Sequence, residues 1–405
     1  MNEKKIAFII CVNNEQYFNE CVWYINRLMI PENYSIDVIA IREADSMCAA
    51  YQAGMSSSDA KYKIYLHQDV MIRNVHFLKD IITLFEENPK VGMIGMIGGI
   101  HMPKTGVTYR AWNVGAVDCR DPDMAYYLEG EKDMKLEDTI VEAVDGLLIA
   151  TQYDVSWRED LFTHFDFYDV SQSFEMRKAG YQVLVPYQNT PWVIHDSGFA
   201  KLRFYDKERQ KCLREYPEFF YAEDGFEFTY DKQWNELSDQ LVKQLQLLIA
   251  VGNWSEVAAV IDSYRTAGRK SSDMEMIGIL YNIYKCETTE YSKSVFFAGC
   301  STFQAIYEKY TAIRFLLRRI ELGMEEASYS ELTDAVLQEN ISLEALVEIM
   351  FHSVVDKATV MKRIEQIYCV AGMQNEAHKC RKVYDLVNGK PLPIAYSKSK
   401  RLNGK

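Results

Sequence analysis

Tyr62-Lys63-Ile64-Tyr65-Leu66-His67-Gln68-Asp69-Val70 is an alternating stretch that runs into a polar cluster and resumes as Val70-Met71-Ile72. The period of two predicts a β-strand, and its end sets a carboxylate, Asp69, at the carboxyl edge of a sheet. In open α/β folds that edge borders the ligand crevice, because loops rather than covered strand surface line it.

Upstream, Ile6-Ala7-Phe8-Ile9-Ile10-Cys11-Val12 is continuously apolar, as a strand covered on both faces must be. It stops at Asn13-Asn14-Glu15, and Tyr17 to Leu28 then shows helical spacing through Phe18, Cys21, Val22, Ile25 and Leu28. Residues 36–41 form a second strand, followed by Arg42-Glu43-Ala44-Asp45-Ser46 and a helical segment to Gly54. Three such strand-first units within about 70 residues predict a parallel sheet with right-handed crossovers. Downstream, Asn74 to Glu87 is helical and closes at Asn88-Pro89. Val91 to Ile100 is an apolar strand whose glycines at 92, 95, 98 and 99 imply close approach by backbone or ligand. These glycines do not open a helix in the G-x-G-x-x-G spacing of a dinucleotide fingerprint. From His101 to Glu137 periodicity fades around Tyr109 and Trp112, which suits a functional flap. Val141 to Ala150 returns to strand character. Asp169 to Lys178 reads as a helix with Asp169 as N-cap and Gln172 completing a capping box. Residues 181–186 form another strand, and Val193-Ile194-His195-Asp196-Ser197-Gly198 repeats the pattern of apolar residues running into a polar turn.

Beyond Tyr216-Pro217 the pattern becomes almost wholly helical: residues 237–251, 255–264, 274–284, 303–322, 329–339, 343–355, 357–371 and 374–387. Val251-Gly252-Asn253-Trp254 and Ala371-Gly372-Met373-Gln374 read as inter-helix turns of loosely tetratricopeptide-like hairpins. The expected organisation is an α/β domain over 1–220, a linker at 221–230, an all-α domain over 231–392, and a basic tail at 393–405.

With 405 residues, two domains are expected. Hydrophobic content of 48% and 27 tyrosines mark ordered globular structure. A net charge of -13 argues against nucleic-acid phosphates as partners. No apolar run approaches the roughly 18 residues that cross a bilayer, and the apolar run at 6–12 lacks a secretory cleavage pattern. Nine cysteines, odd in number and without close pairs, read as reduced thiols of a cytoplasmic protein.

Four segments together resemble the family 2-type glycosyltransferases of the GT-A fold, in the branch related to streptomycin-cluster proteins. They are Val12-Asn13-Asn14-Glu15; His67-Gln68-Asp69-Val70; Phe165-Asp166-Phe167-Tyr168-Asp169 with Arg177-Lys178-Ala179-Gly180-Tyr181 behind it; and His195-Asp196-Ser197-Gly198. The resemblance covers residues 6 to 200 and implies a Rossmann-like, mixed but mainly parallel sheet. It also implies a nucleoside-diphosphate sugar donor, most simply a UDP-sugar, and a divalent metal, manganese ahead of magnesium. Asp69 and His195 match metal ligands. Asn14, Glu15 and Asp45 match positions bordering the nucleotide base and ribose, with Asn13, His67 and Gln68 beside them on the donor side, His67 standing where the family usually has an aspartate. Asp145-Gly146 falls where the family places acceptor-side contacts, Trp112 in the flap is suited to stack on a sugar face, and Asp169 matches the general base, in a Tyr168-Asp169 pair where the family usually has Glu-Asp.

The chemistry asks for such residues independently. A diphosphate leaving group needs a hard cation to stabilise its developing charge, and displacement at an anomeric carbon needs a carboxylate to accept the hydroxyl proton, with inversion. The expected function is transfer of a sugar to a hydroxyl of a glycan, lipid-linked or protein acceptor in bacterial glycan or glycoconjugate synthesis, in the cytoplasm or at the inner membrane face. The helical half would bind acceptor, partner or a second copy. Two alternatives stay open: a non-catalytic binding or scaffold subunit of the same fold, suggested by Tyr168, His67 and Gln52, and a zinc hydrolase built on His67, Asp69 and His195.

Overall fold

The computed structural model describes residues 1–119, 137–196, 202–225, 232–267, 272–286, 303–323, 343–351 and 355–389. The chain divides into two compact units, Met1–Lys232 and Gln233–Lys405.

The first unit is built on a seven-stranded mixed sheet. Its strands, in spatial order, are β10 (Thr139–Val141), β13 (Gln182–Val185), β5 (Val91–Gly95), β12 (Leu148–Thr151), β3 (Ala60–His67), β1 (Asn2–Val12) and β2 (Ser35–Arg42). β1 lies parallel to both β2 and β3, and β13 parallel to β5. β12 runs antiparallel between β3 and β5, and β10 antiparallel on β13. The sheet is therefore mixed, with three parallel and three antiparallel pairings and five of its seven strands running one way; the first three strands are parallel as their spacing predicts.

Side-chain alternation sorts the core into two layers. Ile6, Phe8 and Ile10 of β1 join Tyr62, Ile64 and Leu66 of β3 on the face covered by α1 (Glu15–Ile25) and α3 (Phe77–Glu87). Ala7, Ile9 and Tyr65 face the opposite layer, with Tyr51 of α2 (Met47–Ser56) and Phe174 of α4 (Tyr168–Lys178). His67 therefore leaves β3 on the α4 side. On that side Lys63 is fully buried and stabilised by Asp154, its Nζ 2.7 Å from Oδ1.

Three expected strands are subdivided. The opening stretch breaks at Gln68-Asp69, and β4 (Val70–Ile72) joins β14 (Val193–His195) and β9 (Asp118–Cys119) in a separate three-stranded sheet. The glycine-rich strand breaks at Met96: β6 (Ile97–Gly99) pairs with β11 (Ala143–Val144) and β8 (Val114–Gly115). Residues 141–150 are shared among β10, β11 and β12. The close approach expected at the glycines is backbone and side chain of the protein itself; a Cβ on Gly98 would meet the Ala143 carbonyl at 2.6 Å.

A helix absent from the sequence reading, α5 (Tyr205–Glu215), packs beside α4 through Tyr216. Residues 220–222 form β15, parallel to β7 (Met102–Pro103). The described part of the 101–137 segment consists of β7, a 3-10 turn at Thr108–Arg110, β8 and β9; residues 120–136 lie outside the described residues.

The second unit is helical: α6 (Lys232–Ala250), α7 (Trp254–Thr266), α8 (Ser272–Cys286), α9 (Phe303–Leu322), α10 (Leu343–Phe351), α11 (Lys357–Val370) and α12 (Gln374–Gly389). Gly252 and Gly372 turn between helices in the left-handed region, φ 71° and 76°, where a side chain would be strained. The helix expected at 329–339 and the basic tail at 393–405 lie outside the described residues. No helix among the described residues is long and apolar enough to cross a membrane.

Candidate functional site

β3 delivers His67, Gln68 and Asp69 to the carboxyl edge of the sheet, beside the end of β1 through the register His67 to Cys11. β14 runs antiparallel to β4 so that His195 lies opposite Val70, and the Asp196 N–H donates to the Asp69 carbonyl at 2.9 Å. Two strand ends thereby bring His67, Asp69 and His195 together, with one donor atom from each inside 4.8 Å of the others.

The geometry of this trio suits a cation. His195 Nε2 stands 3.5 Å and His67 Nδ1 3.9 Å from Asp69 Oδ1. Donors on one first-row divalent ion, at bond lengths of ~2.0–2.2 Å, can be at most ~4.4 Å apart. The two separations from Asp69 Oδ1 fall inside that limit, and the three donor atoms lie within 4.8 Å of one another. Asp69 Oδ1 is buried and has no hydrogen-bond partner of good geometry among the described residues; the two imidazoles are its facing groups. Burial pushes the Asp69 carboxyl up, but the His195 and His67 imidazoles outweigh it and hold the group at about 2. Burial lowers the proton affinity of His67, against the pull of Asp69. Metal ligation requires the carboxylate ionised and the imidazoles neutral, so an ion bound there would take over from imidazolium charge the role of holding Asp69 ionised.

A second cluster adjoins the first. Asp169 Oδ2 accepts the Gly146 N–H and Oδ1 the Val170 N–H, each at 2.8 Å. Asp145 Oδ1 accepts the Leu147 N–H at 3.0 Å, and the Leu147 carbonyl accepts the His67 N–H at 3.0 Å. Burial, with the Asp145 carboxylate second, pushes the Asp169 carboxyl up to about 7 despite its two N–H donors. The expectation that Asp169 caps the helix is corrected: α4 begins at Tyr168, and the cap position is Phe167 in the left-handed region, φ 63°, with no side-chain cap bond. Gln172 donates to the Val155 carbonyl instead of closing a capping box.

The expected donor-side residues divide. Gln68 Oε1 accepts the N–H groups of Asn13 and Asn14, both at 2.9 Å, and its Nε2 donates to Asn13 Oδ1. Asn14 Oδ1 caps α1, accepting from Gln16 and Tyr17. These three residues therefore lock the β1–α1 loop to the end of β3. Glu15 takes a two-pronged ion pair from Arg42, 2.6 and 3.0 Å, whose guanidinium lies over Phe18. Asp45 is exposed, one residue before Ser46, which caps α2. Trp112, expected on the acceptor side, is half-buried and packs against both core layers. The motif continuation at Ser197-Gly198 lies outside the described residues.

Tyr168 enters the sequence analysis only as a ground for the non-catalytic alternative, and its contact with His67 is not foreseen there. It stands as a departure from the family's carboxylate pair, yet its hydroxyl hydrogen-bonds His67 Nε2. Its place immediately before Asp169 was the only signal.

A model described as a glycosyltransferase-like family matches residues 7–216. The chain belongs to that family, and its first unit is an α/β domain of the GT-A-like glycosyltransferase type followed by helices. No curated protein matches. Among solved structures, the one titled "Crystal Structure of A197 from STIV" is similar at 9% identity, covering 45% of this chain and 81% of its own, with a TM-score of 0.27.

Proposed function

We propose that the chain is a metal-dependent glycosyltransferase that moves a sugar from a nucleoside-diphosphate sugar, a UDP-sugar foremost, to a hydroxyl acceptor with inversion. The observation that carries this reading is the buried Asp69 oxygen flanked by His67 and His195 at the sheet edge. Asp69 and His195 would hold the ion, manganese in preference to magnesium. Bound there, it supplies Lewis-acid charge to the departing diphosphate.

The remaining roles fall to the protein. Asp169, with its raised proton affinity, accepts the acceptor's hydroxyl proton. The acceptor oxygen forms its bond to the anomeric carbon while the carbon–oxygen bond to the diphosphate breaks and its electron pair leaves with the phosphate. The Asp145-Gly146 turn orients Asp169 through the Gly146 N–H. The β1–α1 loop, locked by Gln68, borders the nucleotide. The acceptor is a glycan, lipid-linked or protein hydroxyl in bacterial glycoconjugate assembly at the inner membrane face, and the helical unit serves acceptor binding or self-association.

A second reading, a binding subunit that has kept the fold without catalysis, is favoured by one observation: both Asp169 oxygens already accept backbone N–H groups. Donor hydrolysis by purified protein with manganese and a panel of nucleotide-sugars tests the choice. Slow manganese-dependent hydrolysis of one donor is the expected result. Donor binding with neither hydrolysis nor transfer would support the binding subunit.

A further inference from the structure

Tyr168 occupies a tightly constrained position. It is the first residue of α4 and 4% exposed. Its ring packs edge-on against Tyr51 at 5.8 Å and tilted against Trp157 at 6.4 Å. Beneath its hydroxyl lies Gly146, where a Cβ would come within 2.0 Å of the phenolic oxygen. A hydroxyl confined in this way is a fixed point, and His67 Nε2 is hydrogen-bonded to it. With Nε2 engaged, the ring turns Nδ1 towards Asp69 Oδ1 at 3.9 Å. That separation is too long for a hydrogen bond, so no proton shared between the two atoms accounts for their facing each other. Metal-ligating histidines commonly bond their second nitrogen to an oxygen, which sets the tautomer and the ring orientation.

We propose that Tyr168 is a positioning residue that makes His67, through Nδ1, the third donor of the site beside Asp69 and His195. The inference rests on the reading that this cluster holds a divalent cation. Two imidazoles and one carboxylate favour manganese, cobalt or zinc over magnesium, which prefers an all-oxygen set. It also gives one turn of α4 two tasks: Tyr168 braces the metal side, and Asp169, the next residue, faces the Asp145-Gly146 turn.

The test is metal binding by the full-length protein without nucleotide, followed by manganese titration and by the visible absorption of bound cobalt. Tyr168→Phe should weaken manganese binding roughly 10–100-fold and alter the cobalt spectrum, while the metal-free melting temperature stays near that of the wild type. His67→Ala should weaken binding at least as much. The double variant should be no weaker than His67→Ala alone, because the hydroxyl acts through that ring. Wild-type affinity in Tyr168→Phe, or losses that multiply in the double variant, would overturn the positioning role and leave the metal site standing. Wild-type affinity in His67→Ala overturns it even if Tyr168→Phe fails to fold. A wild-type protein that binds neither manganese nor cobalt would overturn the underlying reading as well.

Discussion

Asp69 and Asp169 are both half-buried carboxylates, and their surroundings push them in opposite directions. Two imidazoles keep Asp69 ionised near 2, whereas burial and Asp145 raise Asp169 to about 7. That divergence suits a cation ligand and a general base respectively. Asp69→Ala should abolish manganese-dependent nucleotide binding, measured by titration calorimetry. Asp169→Asn should keep that binding and lower kcat by about 10²–10⁴; equal loss of binding in both variants would reduce Asp169 to a structural brace. The pH dependence follows from the same group. A base must be ionised to accept a proton, so transfer should rise with pH through about 7 and level off above it. For stability the sign reverses: the folded state holds this proton more tightly than the unfolded chain, so its contribution falls as pH rises from the ordinary carboxylate range towards 7. Asp169→Asn should remove that component from a pH series of denaturation midpoints. Asp69 was legible in the sequence because a strand ending in a carboxylate is a local pattern. The Tyr168 brace was not, because phenol and imidazole are brought together only when α4 docks on β3.

Among the elements, the loops at the sheet edge depend on a few residues that neither strand nor helix propensity reveals. Gln68 satisfies two backbone donors of the β1–α1 loop at once. Gln68→Ala leaves both without their side-chain acceptor, and since the loop is partly exposed the cost should be about 1 kcal/mol, read from urea denaturation, with a raised KM for the donor. Gly146→Ala places a methyl against the Tyr168 hydroxyl, and such overpacking should cost about 1–3 kcal/mol while displacing the first turn of α4; wild-type stability and activity in this variant would contradict the packing described. The helices and strands themselves were largely visible. Phe303–Leu322 matches its sequence-derived range, and α4 is misplaced only at its start, where Phe167 takes a left-handed conformation no local rule predicts. α5 escaped because its sequence, YDKERQKCLRE, shows few apolar residues. Its buried Glu208 is held by His164 at 2.6 Å and Lys211 at 3.0 Å, partners supplied by packing and by the helix's own next turn. The glycine-rich strand looked continuous because its apolar run hides the change of partner at Met96.

At the scale of the whole molecule, the family match covers residues 7–216, within the first unit, and leaves the helical unit to be explained by experiment. A chain ending at Lys232 should retain manganese-dependent donor hydrolysis and lose transfer to the true acceptor; full transfer by the truncated chain would remove the acceptor or assembly role proposed for the helices. The central claim is that the His67, Asp69 and His195 cluster holds a cation that in turn holds a nucleotide diphosphate. The direct measurement is the thermal stability of the wild-type protein and Asp69→Ala across a panel of nucleotide-sugars, with and without manganese. A ligand that binds only the folded state adds about 2.7 kcal/mol at a hundred times its Kd. One nucleotide-sugar raising the melting temperature of the wild type in manganese alone, with no shift in Asp69→Ala, is the predicted result; a shift that persists without manganese or in Asp69→Ala, or no shift with any donor, would contradict it.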